Sequence, residues 1–179
     1  TIENLLRAYE RQVRIPWDDH LAGPQKVWFA IYDKTQERRL RSRVAMFRAK
    51  TEEYGYGWKY LDLTHAFAEW MGDHEYRDSY FEEPELFDSA LDEFTDAVIE
   101  RLRNVLDGDG VDSRTIVAIT GIASLFGLTR VSRVVEGVAD GIQGRLLVFF
   151  PGEREGNNYR LLEARDGWDY LSVPIEASS

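Results

Sequence analysis

The sequence contains no cysteine. Disulfide bonds, thiolate catalysis and cysteine zinc sites are therefore excluded, and the composition fits a reducing compartment. The sequence also lacks any apolar run approaching the roughly 18 residues that a membrane-spanning helix needs. Its first residues include Glu3, Arg7 and Glu10, where a signal peptide would be apolar. We therefore expect a cytoplasmic protein that is not exported and makes no membrane contact.

The chain also lacks the motifs of common nucleotide and hydrolase sites. It has no GxGxxG or GxSxG string and no phosphate-binding loop; the nearest approach, GIASLFG at residues 121–127, is followed by Leu128 where lysine belongs. We interpret this segment as a structural turn. The three histidines, His20, His65 and His74, form no HExxH arrangement. The sequence therefore predicts no catalytic residue, no cofactor, no metal site and no enzymatic activity.

Basic residues are too few to balance the acids, since 22 Lys and Arg face 32 Asp and Glu for a net charge of −10. This balance opposes nonspecific binding to nucleic acid. Residues 61–112 carry 3 basic and 16 acidic side chains, whereas residues 1–60 carry 12 and 8. The acidic middle is either a solvated helix face or a docking surface for a basic partner. In the second case Glu82, Glu83 and Glu85 are candidate contacts.

With 44% hydrophobic residues among 179, the chain is expected to fold as a single α/β domain. Apolar periodicity predicts four main helices, at 2–14, 35–54, 86–107 and 131–142. We expect the first to pack on the core. The third belongs to a helical, acidic insertion at about 64–107. Short apolar runs predict strands at 26–33, 58–63, 116–120, 145–150 and 170–174. Strands without strict alternation, separated by helices, indicate a Rossmann-like three-layer sandwich whose sheet is mainly parallel and has about five strands.

Ligands in such folds gather at the carboxyl ends of the strands. Asp33 and Asp62 lie at two of these ends and could meet as magnesium ligands of a phosphodiesterase or nuclease, although acids there also serve as turn formers or helix caps. Arg130 and Arg133 are spaced to lie on one side of a helix near its N-terminus, where they could bind an anion or a nucleotide. The alternative for this pair is an internal salt bridge to the abundant acids.

The string RRLRSR places four arginines on one predicted helix: Arg38, Arg39, Arg41 and Arg43. They could contact a nucleic-acid backbone, but acidic residues lie close by along the chain. We favour a solvated helix face and expect no direct contact with nucleic acid.

Several longer strings are more distinctive than these patterns. The segments KVWFAIYD, YGWKYLDLTHAFAEWM, HEYRDSYFEEPE, GIASLFGLTRVSRVVEGV and GRLLVFFPGEREGNNYRLLEARDGWDYLSVPI resemble the BrxB family of BREX bacteriophage-defence loci, over nearly the whole chain. The resemblance implies a small noncatalytic adaptor in an anti-phage complex. It also implies a PglZ-like protein as the partner, with other BREX subunits such as the ATPase and the methyltransferase as further members of the assembly.

Within the last of these strings, NNYRLLEARDGW suggests an exposed recognition element. Asn157-Asn158 and Arg165-Asp166-Gly167 predict two turns. Aromatic and arginine side chains of the kind enriched at interfaces accompany them, and the candidate contacts are Tyr159, Arg160, Arg165 and Trp168. Tyr170 is equally suited to the core beside the last predicted strand.

Overall fold

A parallel sheet forms the centre of the protein, as seen in a computed structural model that describes residues 1–73, 82–83, 85–155, 158–161, 164–169 and 172–177. Of residues 155, 158–161 and 164–169 it describes the backbone only. The strands are β1 (Val27–Tyr32), β2 (Gly57–Asp62), β3 (Thr115–Thr120), β4 (Arg145–Glu155), β5 (Asn158–Leu161), β6 (Ala164–Asp169) and β7 (Val173–Glu176). Five of them lie side by side in the order β2-β3-β4-β1-β7, and each neighbouring pair is parallel.

The two most apolar strands, β1 and β3, are buried along their whole length. Their sequences, VWFAIY and TIVAIT, are rich in β-branched and aromatic residues. Because successive side chains of a strand point to opposite faces, Val27, Phe29 and Ile31 enter one hydrophobic core while Trp28 and Ala30 enter the other. The absence of alternation in the sequence therefore reflects a sheet that is covered on both faces.

Helices cover the two faces unequally. They are α1 (Ile2–Arg14), α2 (Glu37–Glu53), α3 (Ala66–Asp73), α4 (Glu85–Leu106) and α5 (Val131–Val138). The helices α1 and α2 pack on one face, and α3, α4 and α5 pack on the other. No helix in the described ranges is long and apolar enough to cross a membrane.

Sequence periodicity explains the long helix α4. Phe94, Val98 and Leu102 recur every four residues and are buried against the sheet. The same spacing places Asp88 and Asp96 on the solvent side, where both are exposed. One helix therefore contributes to the core and carries much of the acidic middle of the chain.

The predicted fold class is confirmed, because the protein is an α/β sandwich with a five-stranded parallel sheet between helical layers. The first helix has the predicted bounds. The last helix ends earlier than predicted, at Val138, where a short 3₁₀ turn follows. The last parallel strand occupies Val173–Glu176, later than predicted; Tyr170 is outside the described residues.

The prediction of a turn at residues 165–167 is wrong. These residues lie inside β6, which pairs antiparallel with β5, and β5 in turn pairs with the last four residues of β4. Pairing between neighbouring strands outweighs the local turn preference of Asp and Gly here. Asn158 begins β5, and Asn157 is outside the described residues.

Gly121 allows the loops after β2 and β3 to approach each other closely. Its φ is +81°, and a Cβ atom there would lie 2.3 Å from the backbone nitrogen of Thr64 and 2.8 Å from Oδ1 of Asp62. The left-handed backbone disfavours a side chain, and the close contacts leave no room for one.

Gly121→Ala is therefore expected to lower the free energy of unfolding by at least about 2 kcal/mol, because it adds a steric clash to the cost of a left-handed residue. The matched control is Gly127→Ala. Gly127 has a φ of +78° but nothing within 4 Å of the added Cβ, so its loss should be about 1 kcal/mol. Urea denaturation of both variants measures the difference. Equal losses would mean that the close approach at Gly121 contributes nothing.

Candidate functional site

At the carboxyl ends of the parallel strands, the chain leaves β1 and β3 toward opposite faces of the sheet. After β1 it enters α2, which packs on one face, and after β3 it leads to α5 on the other. Strand β4 lies between β3 and β1. In open parallel sheets such a divergence leaves a crevice at which ligands bind.

A cleft of about 390 Å³, here called the strand-end cleft, opens at this point. The loops after β1, β2 and β3 form its walls together with α2 and β4. Its surface is mostly apolar, with a few polar side chains, and its lining consists of Lys34, Glu37, Arg41, Thr64, Gly121, Ala123, Ser124 and Pro151. This combination is typical of a pocket for a small molecule.

The guanidinium of Arg41 is the centre of a polar network in this cleft. Its Nη1 donates to Oδ2 of Asp62 at 3.0 Å, and its Nε donates to Oε1 of Glu37 at 3.2 Å. Its Nη2 donates to the hydroxyl of Thr64 and, at 3.4 Å, to Oδ1 of Asp62. The hydroxyl of Tyr32 donates to the other carboxylate oxygen of Glu37. Arg41 thus joins α2 to the ends of β1 and β2.

The hydrogen bonds of this network shift the pKa values of two of its members, Asp62 and Tyr32. Partial burial raises the pKa of the Asp62 carboxyl, but hydrogen bonds from Arg41 and Thr64 outweigh that effect and hold the pKa well below its usual 3.8. Burial, together with the hydrogen bond to Glu37, raises the pKa of Tyr32 above its usual 10.0. Asp62 is therefore ionised at neutral pH, and Tyr32 is protonated.

Asp33 and Asp62 do not meet, although the sequence suggested that they could share a metal ion. Strands β3 and β4 lie between β1 and β2, so the two strand ends are ~14 Å apart, which is three interstrand spacings. Asp33 instead accepts hydrogen bonds from Thr35, at 2.8 Å from its backbone nitrogen and 2.7 Å from its hydroxyl. No group of three or more potential metal ligands occurs in the part of the chain that the structure describes.

Arg133 forms an internal ion pair, which was the alternative to anion binding. Its Nη1 donates to Oδ1 of Asp92 on α4 at 2.9 Å, and both side chains remain more than half exposed. Arg130 caps the start of α5 without a side-chain hydrogen bond to the helix, and it is exposed. The two arginines lie outside the strand-end cleft lining.

The arginine row of α2 is largely neutralised by acids. Arg39 donates to Glu3 of α1 at 2.5 Å, and Arg43 lies 3.6 Å from the same carboxylate. The hydrogen bond from Arg39 lowers the pKa of Glu3 to about 2. Arg41 is bonded to Asp62 and Glu37, as described above, and Arg38 is exposed. These pairs use most of the row to hold α2 against its neighbours.

Exposed carboxylates form a second candidate surface, on α4 and just before it. We define the acidic surface as Glu82, Glu83, Glu85, Asp88, Asp96 and Glu100, all of which are exposed. Within the described residues, none of these six side chains forms an ion pair or hydrogen bond. The candidate contacts Glu82, Glu83 and Glu85 therefore belong to a surface whose carboxylates have no counter-charge among the residues that the structure describes.

The remaining candidate contacts lie on the antiparallel arm formed by the end of β4 with β5 and β6. Their side chains are outside the described part of the structure, but the register places their backbones. Arg160 pairs with Glu153 on one side and with Arg165 on the other, and Tyr159 pairs with Arg154. Trp168 lies in β6, the strand that approaches α5.

Sequence reasoning missed the network around Arg41. It treated Arg41 as one of a row of surface arginines and Asp62 as a strand-end acid, without connecting them. The spacing of Glu37 and Arg41, four residues apart on a helix, was the available signal for one of the bonds. The bond to Asp62 depends on the strand order, which the sequence pattern does not contain.

Arg41→Met should lower the free energy of unfolding by about 1 kcal/mol at pH 7, a small value because solvent screens a pair that is one-third exposed. Folding lowers the pKa of Asp62, so the stabilisation is complete above the usual value near 3.8 and is lost as the pH falls below it. Urea denaturation at several pH values should show the gap between wild type and variant closing in acid.

Arg48→Met is the matched control, because Arg48 pairs with Glu52 on the same helix but both side chains are at least half exposed. It should cost less than about 0.5 kcal/mol. A loss for Arg41→Met that is no larger than this, or that persists undiminished in acid, would contradict the role given to Asp62.

Comparisons with known proteins were made at the level of family models, curated sequences and solved structures, and none of the three gives a match to this chain. The resemblance of its strings to the BrxB family therefore stays an expectation. The strand-end cleft, the acidic surface and the antiparallel arm are the features of the described residues that bear on function.

Proposed function

We propose that the chain is a noncatalytic adaptor of a cytoplasmic BREX-type anti-phage complex and that it acts by binding a PglZ-like protein. The sequence resemblance supplies the identity of the partner. The observation that carries the binding role is the acidic surface, because its six carboxylates have no partner of their own within the described residues. Such a surface matches a basic surface on another protein.

The acidic surface would act on the rate of association and on the choice of partner. Like charges on one face repel each other, and a basic partner relieves that repulsion. The attraction extends over about 8 Å at physiological ionic strength, so it accelerates the encounter with a basic partner and disfavours an acidic one. The acidic surface would therefore orient the partner before close contacts form.

The antiparallel arm offers the close contacts. It continues β4 beyond the parallel sheet, since β4 pairs with β1 as far as Pro151 and with β5 afterwards. The register sets the backbone of Arg160 between those of Glu153 and Arg165, so two arginines occupy neighbouring positions on the arm. A carboxylate of the partner would suit these arginines. Trp168 on β6 is the aromatic anchor of this arm.

The noncatalytic part of the proposal is supported by what the strand-end acids do. The carboxylate of Asp62 accepts hydrogen bonds from Arg41 and Thr64, and that of Asp33 accepts from Thr35. Both acids therefore hold loops in place. Arg39 and Arg41 bind carboxylates of their own chain, which favours leaving contacts with DNA to other subunits of the assembly.

Replacing Glu82, Glu83 and Glu85 together by lysine should weaken binding to the PglZ-like protein, mainly by slowing association about tenfold or more, with an effect that shrinks at high salt. The control replaces Asp19, Asp107 and Asp109 by lysine. It changes the net charge equally but acts at exposed positions elsewhere, and association should stay within about twofold of wild type. Surface plasmon resonance at several salt concentrations measures both.

Trp168→Ala should weaken the complex roughly 30-fold, the consequence of losing about 2 kcal/mol at a central anchor, and Arg160→Ala should weaken it in the same direction. Met46→Ala, at an exposed apolar position on α2, serves as the control and should have no effect. Size-exclusion chromatography and calorimetry give the affinities. Normal binding by all the folded variants would refute this placement of the interface, and failure of every protein of the locus to bind would refute the adaptor role.

A further inference from the structure

The strand-end cleft contains chemistry that an adaptor does not need. We propose that it binds a small ligand with a flat apolar body and a single anionic group, of the nucleoside monophosphate class. Its volume of about 390 Å³ falls in the range of small-molecule pockets. This binding site is independent of the acidic surface and of the antiparallel arm.

The apolar body has a place in the cleft because the wall beside β3 and β4 is made of small or rigid residues. Gly121, Ala123 and Pro151 line it, and none of the three has a long side chain. A flat ring can lie with one face against such a wall. A larger side chain at position 123, which is exposed to the cleft, would occupy the same volume.

Two cationic side chains line the cleft, and they differ in how far other residues hold them in place. Lys34 is exposed and forms no ion pair in the described part of the chain; the carboxylate of Asp33 interacts with it electrostatically but lies beyond ion-pair distance, so the ammonium group can bind a phosphate. Arg41 is held in position by Asp62 and Glu37. Its guanidinium has five N–H groups, and its hydrogen bonds use four of them, so one N–H group on Nη1 is left to donate. An anion can thus be bound without rearranging the network.

The acids limit the charge of the ligand. Glu37 and Asp62 pair with Arg41, and Asp33 interacts electrostatically with Lys34, so each cation has a carboxylate nearby. A chain of several phosphates would be repelled, and the glycine-rich loop that cradles such a chain is missing from the sequence. One phosphate can be accommodated at Lys34, while Glu37 can accept a hydrogen bond from an amino group of a base.

Hydroxyl groups complete the polar part of the lining. Ser124 donates toward the carbonyl oxygens of Gly121 and Leu63, at 2.6 Å and 2.9 Å. Its oxygen retains lone pairs that can accept a hydrogen bond from a ribose hydroxyl. The positive φ of Gly121 is what brings this turn against the loop after β2, so the cleft depends on that glycine.

Isothermal titration of the full chain with AMP, adenosine and inorganic phosphate tests the proposal. AMP should bind at least about tenfold more tightly than either adenosine or phosphate, because only AMP engages both the apolar wall and Lys34. Lys34→Ala should weaken AMP about fivefold or more and leave adenosine unchanged. Ala123→Leu should abolish binding of AMP and adenosine together.

Lys59→Ala is the matched control, because Lys59 is an exposed lysine on β2 and should not affect AMP. The circular dichroism spectrum and melting temperature of each variant establish that it is folded. The proposal fails if wild type does not bind AMP, if AMP binds no better than adenosine or phosphate, or if folded Lys34→Ala and Ala123→Leu bind AMP as wild type does. Binding to the PglZ-like protein is measured separately, so either result stands without the other.

Discussion

The arrangement of side chains at the carboxyl ends of the parallel strands depends on the hydrogen bonds of Arg41. They join α2, on one face of the sheet, to the end of β2 through Asp62 and to the end of β1 through Glu37 and Tyr32. Two further strands separate β1 from β2, so one guanidinium helps to fix loops that the sheet alone leaves apart. These bonds fix part of the wall of the strand-end cleft, which Glu37, Arg41 and Thr64 line.

The basic first third of the chain and its acidic middle use their charges differently. The basic first third forms bonds within the fold, as Arg39 does with Glu3 and Arg41 with Asp62. The acidic middle is only partly compensated, for instance where Arg133 reaches Asp92. The surplus negative charge therefore faces solvent along α4. We propose that this surplus suits the chain to a basic protein partner better than to DNA.

Local sequence patterns predicted most elements because burial leaves a direct trace in the sequence. Apolar residues in the sequence correspond to buried positions in the fold. Examples are the apolar runs of β1 and β3 and the four-residue repeat of Phe94, Val98 and Leu102. Strand order leaves no such trace, so the separation of Asp33 from Asp62 and the bond of Arg41 to Asp62 could not be foreseen. The extended β6 was missed because pairing with β5, a non-local effect, overrides the turn preference of its Asp and Gly.

Hydrogen exchange of the chain, alone and in complex with the purified PglZ-like protein, tests most directly whether α4 and the antiparallel arm together form the docking surface. Exchange reports on backbone amides along the whole chain, including the arm. If they do, exchange should be slower in the complex at the start of α4 and in β5 and β6, and unchanged in α1 and α2. Protection confined to α1 and α2, or no protection anywhere, would contradict it.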